Sequence, residues 1–188
     1  GYYIAGIVDD TLPENSEVMG IPILGGSEIL KEIYQKGIHQ AVNGVGAIGN
    51  SAARSKIFTM LAEVGFEFPT IIHPRAVIEP GATLAAGVQI MALCYVSSTS
   101  SIGFGSVLNT NAVLSHDCTL GEVVNLSPGA TLAGGVTVED LVQIGMRATV
   151  NLNLRIGRGA RIGNGATVKA DVPPHTVVRA GTIWPLHV

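Results

Sequence analysis

From Val77 to Val172 large apolar residues recur at every sixth position. The stretch divides as VIEPGA, TLAAGV, QIMALC, YVSSTS and onwards to RIGRGA, RIGNGA and TVKADV. The second place of each hexapeptide is Ile, Leu or Val without exception, from Ile78 through Leu108 and Ile144 to Val168. The sixth place is small or aliphatic, as in Ala82, Val88, Cys94, Ser100, Ser106 and Val172. A strand alternates with period two and a helix repeats at 3.6, so neither alone gives this pattern. A triangular coil does. Each hexapeptide is a short strand and a corner, and three of them close one turn. The second place points inward, and the sixth points inward near a corner where a small side chain fits. Coils stack as parallel strands at roughly 4.8 Å, so the stretch predicts a prism of a little over five coils, roughly 25 Å tall. Glycines at the corners, as in Glu79-Pro80-Gly81 and Gly157-Arg158-Gly159, suit backbone with positive φ. The period predicts a parallel β-helix and leaves its hand open.

Residues 1–70 follow another pattern. Tyr2 to Val8 reads as a strand ending at Asp9-Asp10, and Ile21 to Leu24 as a short edge strand, because Pro22 lacks an N–H. Ser27 is placed to cap a helix over Glu28 to Lys36, with Gly37 as its stop. His39 to Asn43 reads as another strand. A helix from Asn50 to Val64 would turn Ala53, Ile57, Leu61 and Val64 inward and close at Gly65. Strands alternating with helices predict a small α/β unit with a parallel sheet. Ile71 to Ala76 is already in frame with the sixes. The domains are therefore read as an α/β unit over 1–70, the β-helix over 71–172, and a C-terminal tail over 173–188, begun by Pro173-Pro174.

Gly44-Val45-Gly46-Ala47-Ile48-Gly49 matches G-x-G-x-x-G between a strand and a helix. A dinucleotide site needs an acidic residue after the next strand. Glu63 and Glu67 fall instead in the helix and its exit, and the unit is too small for a full cofactor fold. Two readings stay open: a tight structural turn, or backbone N–H groups at a helix start facing an anionic, nucleotide-linked ligand.

The net charge of −3 and the absence of a basic stretch speak against nucleic acid as a partner. No apolar run is long enough to span a membrane and no secretory leader is visible. Cys94 and Cys118 both occupy the inward sixth place. They read as buried thiols in small slots, neither a disulfide nor a nucleophile, which fits a reducing cytoplasm.

The fourth place of each hexapeptide faces outward at a corner. Among those residues one is a base near neutral pH: His116, the sole histidine between Val77 and Val172. Asp117 follows it, and a carboxylate beside an imidazole fixes its tautomer and favours its protonated form. This pair fits a general base that takes a proton from a hydroxyl or amine attacking a thioester carbonyl, with corner N–H groups available for the oxyanion. No activated Cys or Ser is visible, so direct transfer is expected, without an acyl-enzyme.

An α/β unit, then Ile72-His73-Pro74, then a prism carrying Asn109-Thr110-Asn111-Ala112-Val113-Leu114-Ser115-His116-Asp117-Cys118, is similar to one bacterial family. It contains the sialic-acid O-acetyltransferases and the nucleotide-amino-sugar N-acetyltransferases of surface-glycan synthesis. The resemblance implies a left-handed parallel β-helix behind a Rossmann-like domain. That domain is here read as N-terminally incomplete, because the family opens with a strand and a Gly-rich turn carrying a His. It implies a homotrimer, acetyl-CoA bound between prisms, a sugar or nucleotide sugar as acceptor, and no metal. His116 and Asp117 are then catalytic, and Asn109 lies near the acceptor. Asn125, at a position where N-acetyltransferase members often carry a His, touches the ligands. Met146 and Asn164 line the CoA groove through their backbone. Asp9, Asp10, Gly49 and Asn50 match the segments that hold the nucleotide.

Other readings of the same prism remain: a non-catalytic scaffold, or an acyltransferase with a non-sugar acceptor. A zinc enzyme on this fold would need about three His ligands, and the prism offers His116 alone.

Overall fold

The computed structural model describes residues 1–14, 16–46, 49 and 51–185. Contacts divide the chain into two compact units, one of Gly1–Ala41 with Ile57–Phe68, the other of Val42–Lys56 with Pro69–Val188.

In the second unit the sixes become a three-faced prism. The first face runs from Ile71–Ile72 through Gln89–Ile90, Val107–Leu108, Asn125–Leu126, Gln143–Ile144 and Arg161–Ile162 to Val177–Val178. The second runs from Val77–Ile78 through Val113–Leu114 to Ile183–Trp184, and the third from Thr83–Leu84 to Arg155–Ile156. Every strand pairs in parallel with the strand one coil away, in register, as in Val113↔Tyr95 and Val113↔Thr131. The two inward columns are where the sequence places them. Leu108, Leu114, Leu126, Leu132 and Ile144 are fully buried, and Val88, Ala112, Ala130 and Ala148 fill the sixth places beside them. Burying each large aliphatic stabilises by about 1.5–3 kcal/mol before chain entropy is counted. The polar sixth-place residues Ser100 and Ser106 are buried too, and their hydroxyls donate to the carbonyls of Ser115 and Gly121 at 2.8 and 2.9 Å. That removes the cost of an unpaired buried hydroxyl. Cys94 and Cys118 are buried free thiols, and burial pushes both thiols up from their ordinary pKa.

The corners turn by one rule. The fifth residue of each hexapeptide from Gly81 to Gly165 has positive φ. Glycine accepts this freely, but Leu93, Thr99, Asp117, Val123, Leu141 and Arg147 adopt it as well, with φ from 53° to 63°. An L side chain there costs roughly 1–2 kcal/mol, which the stacked ladder on both sides offsets.

The prism does not end at Val172. Val177–Val178 and Ile183–Trp184 are strands, with Ile162↔Val178 and Val168↔Trp184 in register. Val172 bridges to Ile156. Residues up to Trp184 are thus a further coil and not a tail. The expectation failed because the corner after Val168 is two residues shorter than the others, which puts Val172 and Val178 out of the sixfold frame.

Asn43, Gly49, Ser51 and Arg54 pack against the first face of the prism and the corners beside it. Gln143, at an outward first place, accepts from the Gly49 N–H through Oε1 at 2.9 Å and donates through Nε2 to Ser51 Oγ at 2.8 Å. Ser51 Oγ donates in turn to the Leu141 carbonyl at 3.2 Å. Gln89 Nε2 donates to the Asn43 carbonyl at 2.8 Å. Arg54 is buried and donates to the carbonyls of Asn43, Val45 and Gly105 at 3.2, 2.5 and 3.2 Å.

The first unit holds three short strands, β1 (Ile7–Val8), β2 (Glu17–Val18) and β3 (Ile21–Gly25), in the order β1-β3-β2. The sheet is mixed, because β1 pairs with β3 in parallel and β2 with β3 antiparallel. The proline-bearing strand is therefore central. Pro22 is tolerated because the β1 ladder begins only at Ile23, paired with Ile7. Tyr2 to Ile4 are exposed and outside the strand. Ser27–Ile29 forms a 3₁₀ turn before α1 (Leu30–Gln35), and Ser27 supplies no side-chain cap. Asp10 accepts from the Ser27 N–H at 2.6 Å instead. The expected strand at His39–Asn43 is reduced to one parallel bridge, Gln40↔Glu67. Asn43 is drawn away from a ladder, its side chain donating to the Arg54 carbonyl at 3.0 Å. Helix α2 (Ser51–Val64) ends, as expected, at Gly65 with φ 110°. Its buried residues are Ser51, Arg54, Phe58 and Leu61, so of the four expected there only Leu61 is buried, while Ala53, Ile57 and Val64 are half-buried. Among the described residues no helix is long and apolar enough to cross a membrane.

Candidate active site

His116 and Asp117 stand at the edge between the second and third faces. The left-handed φ of 60° at Asp117 turns its carboxylate back onto the preceding side chain. His116 Nδ1 lies 2.8 Å from Asp117 Oδ2, and the side chains are 62% and 63% exposed. The pair is open to a ligand while its members hold each other. Thr99, one coil earlier in the same column, places Oγ1 2.6 Å from Asp117 Oδ1. That hydroxyl also lies 2.6 Å from the Ser98 carbonyl, and its single proton favours the charged acceptor. The Thr99 hydroxyl, and then the His116 ring, hold the Asp117 carboxyl below its ordinary pKa.

An ionised Asp117 only accepts hydrogen bonds. Nδ1 of His116 must then carry the proton and donate it, which leaves the Nε2 lone pair without a partner among the described residues. This is the tautomer a general base needs. One coil further on, Gly134 lies directly against the ring, and its N–H has no hydrogen-bond partner among the described residues. Gly134 is buried although it occupies a fourth place, so that column is not uniformly outward. Thr99 and Gly134 were missed by sequence reasoning, although both can be found by stepping one coil either side of the dyad.

The other expected residues fall elsewhere. Asn109, Met146 and Asn164 share the edge between the first and second faces. Asn109 Oδ1 accepts from the Thr110 N–H at 2.8 Å, and Asn164 Oδ1 from the Met146 N–H at 2.9 Å. Asn125 sits within the first face, 5% exposed, with Nδ2 on Ser127 Oγ at 3.1 Å. In one chain it is enclosed and does not join the dyad. Asp9 accepts from the Thr11 hydroxyl and amide at 2.6 and 2.8 Å, which holds its carboxyl below the ordinary value. Asp10 is engaged by Ser27. The Gly49 N–H, the expected anion contact, is taken by Gln143, and Asn50 lies outside the described residues. His73 Nδ1 accepts from the Arg75 N–H at 3.1 Å, a turn-stabilising contact. Among the described residues no group of three His, Cys, Asp or Glu is placed to hold a metal ion.

Comparison with known proteins agrees with this architecture. The PglD N-terminal domain family model matches residues 1–61. A His-to-Asn mutant of perosamine N-acetyltransferase from Caulobacter crescentus, solved in complex with CoA and GDP-perosamine, matches with a TM-score of 0.87 and 31% identity, over 93% of this chain and 80% of that one. The acetyltransferase domain of PglB from Neisseria gonorrhoeae matches with a TM-score of 0.80 and 29% identity, over 93% and 82% of the two chains. WeeI from Acinetobacter baumannii matches with a TM-score of 0.78 and 26% identity, over 92% and 81%. A search of curated protein sequences finds no match. Repeat, ladder and relatives together define a left-handed parallel β-helix of the hexapeptide-repeat acyltransferase class. Within that class the chain belongs to the sugar acetyltransferases.

Proposed function

We propose that this protein transfers an acetyl group from acetyl-CoA to an amino or hydroxyl group of a nucleotide-linked sugar, in the cytoplasm, for surface-glycan synthesis. The observation that carries the reading is the His116–Asp117 pair, exposed at a prism edge with Nδ1 held and Nε2 free. The ligands of the perosamine enzyme, CoA and GDP-perosamine, support the choice of substrates.

Acetyl-CoA acts as a second substrate, consumed in each turnover. The acceptor's lone pair forms a bond to the thioester carbonyl carbon as its proton passes to His116 Nε2. The carbonyl electrons move onto oxygen, and the N–H of Gly134, on the corner against the ring and without a partner among the described residues, supplies a donor for that charge. Collapse restores the carbonyl and breaks the C–S bond, and the imidazolium returns the proton to the leaving sulfur. Asp117 stays ionised throughout and stabilises the imidazolium.

The dyad and the edge with Asn109, Met146 and Asn164 are different edges of one prism. A site that uses both needs a second copy of the chain, which supports a homotrimer with sites between neighbouring prisms.

The test is incubation with acetyl-CoA and a panel of nucleotide sugars, read by mass spectrometry, for the wild type and His116→Ala. An acetylated product, with turnover lowered by roughly 10²–10⁴ in the variant, is expected. A wild type that acetylates no nucleotide sugar overturns the acceptor class. Undiminished turnover in His116→Ala overturns the general base.

A further inference from the structure

Gly134 is the sole glycine at a fourth place between Val77 and Val172, and it lies one coil after His116 on the same edge. The corner glycines Gly129, Gly135, Gly159 and Gly165 stand at fifth places with positive φ. Gly134 does not have positive φ, so backbone conformation does not call for glycine there. Space does. A Cβ built on Gly134 would lie 2.5 Å from His116 Cε1, 2.6 Å from Nε2 and 3.1 Å from Nδ1. All three nearest atoms belong to the imidazole. At Gly145 and Gly163, by contrast, the nearest atoms are backbone. A methyl group at residue 134 therefore meets a side chain able to rotate, and the ring moves before the corner does.

We propose that Gly134 is a positioning residue for His116, the surface against which the imidazole is held with Nδ1 on Asp117. This rests on the reading of His116 as general base. The dyad is then fixed from both neighbouring coils, its carboxylate by Thr99 and its ring by Gly134. A methyl at this place drives the ring off its 2.8 Å contact with Asp117 and swings Nε2 away from the acceptor. A displacement of that size can cost on the order of 100-fold in rate.

The decisive variant is Gly134→Ala, taken alone and with His116→Ala. A crystal structure of the single variant is expected to show the ring displaced and the Asp117 contact broken, with the corner backbone in place. Its kcat should fall about 100-fold, with Tm and KM for acetyl-CoA unchanged. In the His116→Ala background the same change should lower the residual rate no further, as for residues acting through one another. A ring that keeps its place, an unchanged kcat, or a further loss in the His116→Ala background overturns the proposal. If His116→Ala itself turns over normally, the general-base reading falls, while the crystallographic position of the ring still decides whether Gly134 sets it.

Discussion

His116 Nδ1 and Asp117 Oδ2 are 2.8 Å apart although the residues are consecutive in the chain. On an extended strand adjacent side chains point to opposite faces. Here the corner intervenes: the left-handed φ of 60° at Asp117 brings two neighbours to one side. The same backbone rule operates at every corner from Gly81 to Gly165, so the fold supplies the geometry and the sequence only had to place an imidazole and a carboxylate in it.

The Thr99 hydroxyl is the largest influence holding the Asp117 carboxyl below its ordinary pKa. Thr99→Val keeps the β-branched shape at φ 59° and removes the hydroxyl. A carbon-detected NMR titration should then find the Asp117 pKa raised. Turnover should fall by roughly threefold to tenfold, well short of the loss expected on removing His116, the proposed base. An unmoved Asp117 titration would show that the hydroxyl serves Ser98 instead.

Glu79 carries a pH signature of its own. Tyr95 and Ser97 hydroxyls and the Ser98 N–H converge on its carboxylate and lower its pKa from 4.5 to about 2. A carboxyl depressed in the fold favours the folded state above its unfolded pKa, and that contribution disappears as pH falls through the folded value. Urea unfolding should therefore show wild-type stability declining between pH 4.5 and about 2. Glu79→Gln should be less stable at neutral pH and flatter across that window. Parallel curves for the two proteins would disprove the linkage.

Arg147 is exposed and sits at a fifth place with φ 53°. Arg147→Gly relieves an L residue of left-handed strain, offset in part by the greater freedom of glycine in the unfolded chain. A net gain of about 0.5–1 kcal/mol is expected in thermal or urea unfolding. A loss would mean that its side chain makes a compensating contact with the corner at Gly129.

The prism was legible because its period is rigid: second and sixth places map onto inward columns whatever the local propensity. The reading failed where the period breaks, in the shortened corner after Val168. In the α/β unit short strands carry little periodic signal, so Pro22 argued for an edge that topology made a centre. The glycine-rich stretch ending at Gly49 read equally as a tight structural turn or as an anion cradle. A single outward side chain more than ninety residues later, Gln143, takes up its described N–H, and no local pattern reveals that. The dyad was legible from residue type and column. Its supports at Thr99 and Gly134 needed the neighbouring coils to be read as layers of one edge.

The shortened corner after Val168 has a consequence for tolerance to insertion and deletion. Each column advances by one residue per coil, so the chain is held in phase from Val77 to Val168. One residue inserted between Thr99 and His116 would carry the imidazole off its edge and separate Asp117 from Thr99. The phase slip after Val168 lies downstream of every contact to the dyad, and there the ladder closes on Val178 and Trp184 in spite of it. Length variation is thus excluded from the coils that build the proposed site and admitted in the last coil of the prism.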